Sequence, residues 1–166
     1  MANHASAKKR SRQNKTRNTV NSQYLSKFRT AINKFNNSIK TNNKEEIQKL
    51  VDETVDKLGG IDILVCNAGE SKSCLPNEEN FKDWQKMFQQ NFFTASNMIE
   101  VSKKFLIKSK GSIICISSIC GNEMIQGAPI TYSTAKAALN FYIKSLSHYL
   151  SKKNVNINLV SPGNIL

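Results

Sequence analysis

Ser112-Ile113-Ile114-Cys115-Ile116, ending in Ser117-Ser118, and then Tyr132-Ser133-Thr134-Ala135-Lys136 form the stretch around which this chain is organised. The first run is apolar and short, as a buried strand is, and stops at two serines. A loop follows, and Tyr132 opens a helical pattern that continues through Ala135, Leu139, Ile143, Leu146 and Leu150. Residues four apart share a helix face, so the Tyr132 phenol and the Lys136 ammonium point the same way. A cation beside a phenol favours its ionised form, which makes Tyr132 a candidate proton donor and acceptor. A serine at the strand's carboxyl end can hold a substrate oxygen against it.

Two further strands are expected in the same orientation. Ile61-Asp62-Ile63-Leu64-Val65-Cys66 is apolar, follows a helical stretch from Lys44 to Leu58 and ends in Asn67-Ala68-Gly69. Val155 to Val160 ends in Ser161-Pro162-Gly163. Between the first two strands lies a long helical region, Glu78 to about Lys108, with Asn91 amid apolar neighbours. Strands alternating with helices imply a parallel α/β unit with right-handed crossovers. The fold class expected is a partial Rossmann-type sheet of three strands with flanking helices. Ligands of such sheets bind outside the carboxyl ends of the strands. Asn67-Ala68-Gly69, Ser117-Ser118 and Pro162-Gly163 therefore share one rim, beside Tyr132. Taken singly, each has a plainer explanation: a turn, a strand end, a solvated lysine, or a helix asparagine bonded to its own backbone.

As a set, these residues resemble the short-chain dehydrogenase/reductase family from about Glu45 to Leu166. The resemblance implies catalytic roles for Asn91, Ser118, Tyr132 and Lys136. Tyr132 would be the general acid and base, and Lys136 would assist it and bind the nicotinamide ribose. Ser118 would orient the carbonyl, and Asn91 would bend the long helix and hold a relay water. Asn67, Ala68 and Gly69 would line the cofactor cleft, with Pro162, Gly163 and Ile165 against the nicotinamide. NAD or NADP is the implied cofactor.

Charge divides the chain unevenly. Of 24 Lys and Arg, ten fall in residues 1–40, which hold no Asp or Glu. Such asymmetry points to an anionic partner for one end. From Tyr24 a stripe of Leu25, Phe28, Ile32, Phe35 and Ile39 reads as an amphipathic helix. Met1-Ala2-Asn3-His4-Ala5-Ser6-Ala7-Lys8-Lys9-Arg10-Ser11-Arg12-Gln13-Asn14, continued by Ser26-Lys27-Phe28-Arg29-Thr30-Ala31-Ile32, resembles the start of the bacterial small-subunit ribosomal protein S-twenty. That resemblance implies contact with small-subunit ribosomal RNA through Lys8, Lys9, Arg10, Arg12, Lys15, Arg17, Lys27, Arg29 and Lys34. The expected organisation is thus a chimera: a basic helical arm, a structural constituent of the small ribosomal subunit, over 1–43, and an incomplete reductase domain over 44–166.

The glycines shape a second expectation. None of Gly59, Gly60, Gly69, Gly111, Gly121, Gly127 and Gly163 is spaced for the phosphate-binding turn of a dinucleotide fold. The strand that in the resembled family carries the acid for the adenosine ribose is not found either, so the glycine-rich cofactor loop is expected to be missing, cofactor binding to be doubtful and the reductase part to be inactive. The alternative is a working NAD(P)-dependent oxidoreductase interconverting a carbonyl and an alcohol. Open sheet edges or the long helices would permit self-association. Cys66, Cys74, Cys115 and Cys120 lack paired metal-ligand spacing, and His4 and His148 stand far apart, so no metal site is expected. Reduced thiols and the lack of any membrane-length apolar run suggest the cytoplasm.

Overall fold

The computed structural model describes residues 9–20, 22, 26 and 44–163. The chain divides into two compact units, Met1–Ser38 and Ile39–Leu166. In the first, residues 9–20 form a helix, α1, whose side chains are all exposed. Thr16 and Thr19 donate their hydroxyls to the carbonyls of Arg12 and Lys15, one turn back. The apolar stripe expected between Tyr24 and Ile39 lies outside the described residues, as do Lys8, Lys27, Arg29, Lys34 and Ile165.

The second unit runs α2 (Lys44–Leu58), β1 (Ile63–Cys66), α3 (Phe81–Phe88), a π-helical turn (Gln89–Phe93), α4 (Thr94–Ser109), β2 (Ser112–Ile116), a 3-10 turn (Ile119–Gly121), α5 (Ile130–Ser151) and β3 (Asn156–Val160). The strands form one parallel sheet in the order β1-β2-β3. This is a partial Rossmann-type sheet with flanking helices, preceded by a basic helix. Helix α2 keeps the bounds expected from its pattern. Gly59, at φ 82°, ends it by donating its N–H to the Val55 carbonyl at 2.8 Å.

Two elements differ from expectation. The region Glu78 to Lys108 is not one continuous helix. It starts at Phe81, because Asn80 caps the first turn in a reciprocal box with Asp83, and it is interrupted by the π turn at Asn91. The last helix starts at Ile130, two residues before Tyr132, with Pro129 as its cap. Tyr132 therefore sits inside the first turn, held by regular helical backbone.

The core lies on one face of the sheet. Helix α4 presents Ala95, Ile99, Ser102 and Leu106 at three- and four-residue steps, and α5 presents Ala135, Leu139, Ile143 and Leu150. These side chains bury Ile113 and Cys115 of β2, and α2 packs Ile47 and Val51 on the α4 side. Truncation of Leu106, fully buried in this layer, to alanine is expected to cost about 2–5 kcal/mol. Urea unfolding followed by circular dichroism measures it, and a loss well under 1 kcal/mol would mean that the layer is not packed as described. On the other face Ile63, Val65 and Val160 remain 65%, 55% and 47% exposed.

Where β2 begins, the backbone approaches β1 closely. A Cβ on Gly111 would stand 2.3 Å from the Asp62 carbonyl oxygen, so this position needs glycine. The left-handed residue that closes α4 is instead Lys110, at φ 54°. Gly111 donates its N–H to Leu106 O and Lys110 to Ile107 O, which stops the helix and turns the chain into the strand. That stop sets where β2 ends, five residues on, and so where Ser117 and Ser118 lie.

Candidate active site

Because the sheet is parallel, Asn67-Ala68-Gly69, Ser117-Ser118 and Ser161-Pro162-Gly163 all emerge at one edge. Backbone bonds tie the second and third together: Ser117 N–H donates to Val160 O at 2.8 Å and Ile119 N–H to Pro162 O at 3.0 Å. Asn67, Ala68 and Gly69 are exposed at the mouth, whereas Ser117, Ser118, Asn91 and Lys136 are buried.

Lys136 is 4% exposed, and its Nζ donates to the Ile116 carbonyl at 3.0 Å. The same ammonium stands 5.8 Å from the centroid of the Tyr132 ring. A Cβ placed on Gly69 would come within 3.4 Å of Lys136 Nζ and 2.7 Å of Asn91 Oδ1. The bare backbone at Gly69 thus faces Lys136 and Asn91 across a space that any larger residue would fill. One lysine joins the first strand's exit loop, the second strand's end and the tyrosine helix.

Burial holds the Lys136 ammonium below its ordinary value of 10.5, and the Cys115 sulfur nearby opposes part of that shift. The folded protein therefore binds this proton less tightly than the unfolded chain. Stability owed to this group is lowest at neutral pH and rises as pH climbs towards 10.5. Urea midpoints for wild type and Lys136→Met should converge or cross over that interval. Parallel pH curves for the two would contradict a buried, charged lysine.

Asn91 is 1% exposed inside the π turn. Its Nδ2 donates to Glu70 O at 2.9 Å and to Met87 O at 3.1 Å, and its Oδ1 accepts from Glu70 N–H at 3.2 Å. One amide clamps the loop after Gly69 to the long helix. The bond to Met87 is the plain backbone contact that any helix asparagine can make; the pair to Glu70 is not. A π turn re-aims a helix side chain by one extra residue, and such turns recur at functional sites.

Ser118 is 8% exposed and caps the 3-10 turn, its Oγ accepting from Cys120 N–H at 3.2 Å. That bond uses a lone pair and leaves the hydroxyl hydrogen free to donate. Sequence reasoning passed over two supports. Ser117 donates its hydroxyl to Asn140 Oδ1, and Asn140 Nδ2 donates to Asn122 Oδ1 at 2.7 Å. Asn140 lies one turn beyond Lys136, so the four-residue spacing that singled out Tyr132 and Lys136 extends to it. Ser73 and the fully buried Thr131 share a hydroxyl bond of 2.8 Å, tying the loop after β1 to the start of α5. No periodicity links those two residues, which stand 58 positions apart.

Cys66 and Cys115 are register partners on β1 and β2. Hydrogen bonding to the Cys115 sulfur, then burial, pushes the Cys66 thiol up. The same bond, helped by Lys136 and opposed by burial, lowers Cys115.

Comparison with known proteins matches residues 9–166 to the sequence model described as short chain dehydrogenase. L-fucose dehydrogenase of Rattus norvegicus is 36% identical over 121 residues, covering 72% of this chain and 44% of that protein. Among solved structures, ElxO with NADP bound is 31% identical with a TM-score of 0.70, covering 75% of this chain and 50% of that one. The 7 alpha-hydroxysteroid dehydrogenase complexed with NADH and 7-oxo glycochenodeoxycholic acid is 27% identical with a TM-score of 0.68, covering 74% and 48%. The chain spans about half the length of the curated relatives it matches.

These findings correct the two-parent reading. The match begins at residue 9, inside α1, and runs across the expected joint at residues 43 and 44. One dehydrogenase domain therefore replaces the chimera, its ribosomal constituent and its RNA partner, along with the self-association inferred from an incomplete sheet. Lys9, Arg10, Arg12, Lys15 and Arg17 are exposed cations on a helix that this match includes. The expectations of a missing cofactor loop, doubtful cofactor binding and an inactive domain fall as well. They rested on glycine spacing and on an unfound strand for the adenosine ribose, whereas the fold overlays on structures that carry a bound dinucleotide.

Proposed function

Because this chain belongs to the short-chain dehydrogenase family, we propose that it is an NAD(P)-dependent oxidoreductase interconverting a carbonyl and an alcohol. The observation that carries the reading is the placement of Lys136, whose ammonium reaches the Ile116 carbonyl, the Tyr132 ring and the open space at Gly69. A nicotinamide dinucleotide, when bound, supplies or accepts the hydride. Asn67, Ala68, Gly69, Lys136, Pro162, Gly163 and Ile165 are the residues that would hold it. Gly69 fits that part, since its missing side chain keeps clear the space beside Lys136 and Asn91.

Tyr132 exchanges a proton with the substrate oxygen through its phenol. Lys136 spends one N–H on Ile116 and keeps two for the ribose and for charge stabilisation beside the phenol. Ser118 donates its free hydroxyl hydrogen to the same substrate oxygen, which is polarised between two donors. Asn91 completes the catalytic set by bracing the loop that follows Gly69. Residues 44–166 make up the catalytic part. A cytoplasmic location suits the four free cysteines and the finding that, among the described residues, no helix is long and apolar enough to cross a membrane.

The test mixes the full chain with NADH or NADPH and, in turn, an aldose, a 3-oxoacyl thioester and a ketosteroid, while the nicotinamide absorbance is followed. Oxidation of either cofactor that depends on one of these carbonyls is expected. Lack of turnover with all of them, together with no heat on titrating either dinucleotide, would overturn the reading.

A further inference from the structure

The helix step that places Tyr132 and Lys136 on one face of α5 brings a third side chain, Asn140, to the same face one turn further on. The turn that carries Ser118 lies directly against that face. A Cβ on Gly121 would stand 2.8 Å from the Lys136 carbonyl carbon and 2.9 Å from Asn140 Nδ2, so a larger residue would push the turn off the helix. Asn140 grips this turn at both ends. Its Oδ1 accepts the hydroxyl of the buried Ser117, which directly precedes Ser118. Its Nδ2 donates at 2.7 Å to Oδ1 of Asn122, which directly follows Gly121.

We propose that Asn140 is a positioning residue for the reaction: it fixes the Ser118 turn against α5, so that the Ser118 hydroxyl and the Tyr132 phenol meet the same substrate oxygen. The role rests on the oxidoreductase reading above. Ser118 and Tyr132 come from different elements, and the other bonds of the turn do not tie it to α5. Ser118 Oγ accepts from Cys120 N–H at 3.2 Å, which fixes the hydroxyl within its own turn. Ser117 N–H and Ile119 N–H bind the carbonyls of Val160 and Pro162, which fixes the turn against the exit of β3. Lys136 does reach from α5 to the strand, but to the Ile116 carbonyl, before the turn begins. Asn140 supplies the link between the turn itself and the tyrosine helix.

An amide suits the task, because one planar group offers an acceptor to Ser117 and a donor to Asn122. Both of its polar atoms are engaged by protein, so Asn140 acts through Ser118 and not on the substrate. A donor moved from its place loses much of what it gives to the transition state, even when the fold survives. The two ends differ in weight. Ser117 is buried, whereas Asn122 is exposed and water competes for its bond.

The test is a cycle of the full chain, Ser118→Ala, Asn140→Ala and the double variant, assayed on the carbonyl that the wild type reduces. Asn140→Ala is expected to lower kcat about tenfold with KM little changed, a fraction of the ~10²–10³-fold that loss of one oxyanion donor brings. In the Ser118→Ala background the same substitution should change kcat by less than about twofold, because residues acting as a unit are not additive. A loss that carries over in full to that background overturns the proposal, since it comes from folding or from Lys136. If Asn140→Ala melts too low to assay, the exposed Asn122 gives the answer. Asn122→Ala should lower kcat about threefold, the worth of one partly solvated hydrogen bond. Asn122→Asp keeps the acceptor for Asn140 Nδ2 and should restore the rate; equal rates for both variants overturn the proposal. A wild type without turnover removes the oxidoreductase reading and this role together, whereas a working wild type with additive losses removes the role alone.

Discussion

Replacing Tyr132 by phenylalanine is expected to lower kcat by about 10²–10⁴-fold while leaving dinucleotide affinity within a few-fold. The ring keeps its place in the first turn of α5, and no bond of its hydroxyl to protein holds the helix among the interactions described. Only the exchangeable proton is lost, so thermal stability should barely change. The rate effect corresponds to roughly 3–5 kcal/mol of transition-state stabilisation at ~1.36 kcal/mol per decade. Steady-state rates on the carbonyl that the wild type reduces, beside calorimetric titration of cofactor, separate the two terms. A variant retaining more than a third of wild-type kcat would remove Tyr132 from the proton path. A variant that has lost cofactor binding in proportion would instead make the phenol a binding group.

That separation is possible because of how the site is built. Proton exchange belongs to Tyr132, whereas the position of its partner belongs to the buried Lys136 and the carbonyl at the end of β2. Much of this was legible in the residues. The 3.6-residue period of α5 put Tyr132 and Lys136 on one face. The bounds of α2 and β2 followed from glycines and apolar runs, and parallel strands force three exit loops to one edge. Local patterns of this kind survive because burial of one face dictates them.

Less legible was everything that depends on two distant segments meeting. The Ser73–Thr131 bond and the approach of Gly69 to Lys136 leave no periodic trace, and of the Ser117–Asn140–Asn122 chain only Asn140 keeps the period of α5. The break in the long helix is hidden from periodicity as well, and only the family resemblance implies a bend at Asn91. Phe81, Trp84, Met87, Phe88 and Phe92 keep a helical step through it, so an inserted π turn does not disturb the count. Charge composition misled in the opposite direction. A run of lysines and arginines, joined to a resemblance over the first residues, gave a nucleic-acid surface, although solvated cations by themselves carry no such information. Glycine spacing was likewise asked to decide a question about binding, although the chain overlays on structures solved with a bound dinucleotide.

Asn91→Leu is expected to be the costliest single change at the rim. Leucine has the same number and branching of side-chain heavy atoms as asparagine, with bulkier methyl groups, but neither its donors nor its acceptor. Glu70 would lose a partner for both its N–H and its carbonyl, and Met87 O would lose another. Each buried polar group left unpaired costs about 1–3 kcal/mol. Glu70 is only partly buried, so water recovers some of this, and a total of about 2–4 kcal/mol follows. For a domain of this size the melting temperature should fall by roughly 5–15 °C. Asn91→Asp separates the two sides of the clamp. The carboxylate still accepts from Glu70 N–H but faces the Glu70 and Met87 carbonyls without a hydrogen to give them. It should therefore destabilise at neutral pH and recover partly in acid, where protonation returns a donor. Thermal melts of both variants from neutral to mildly acidic pH read this directly. If Asn91→Asp tracks Asn91→Leu at every pH, hydrogen bonding to the Glu70 loop is not what holds the rim, and the packing of the π turn against Met87 must do so instead.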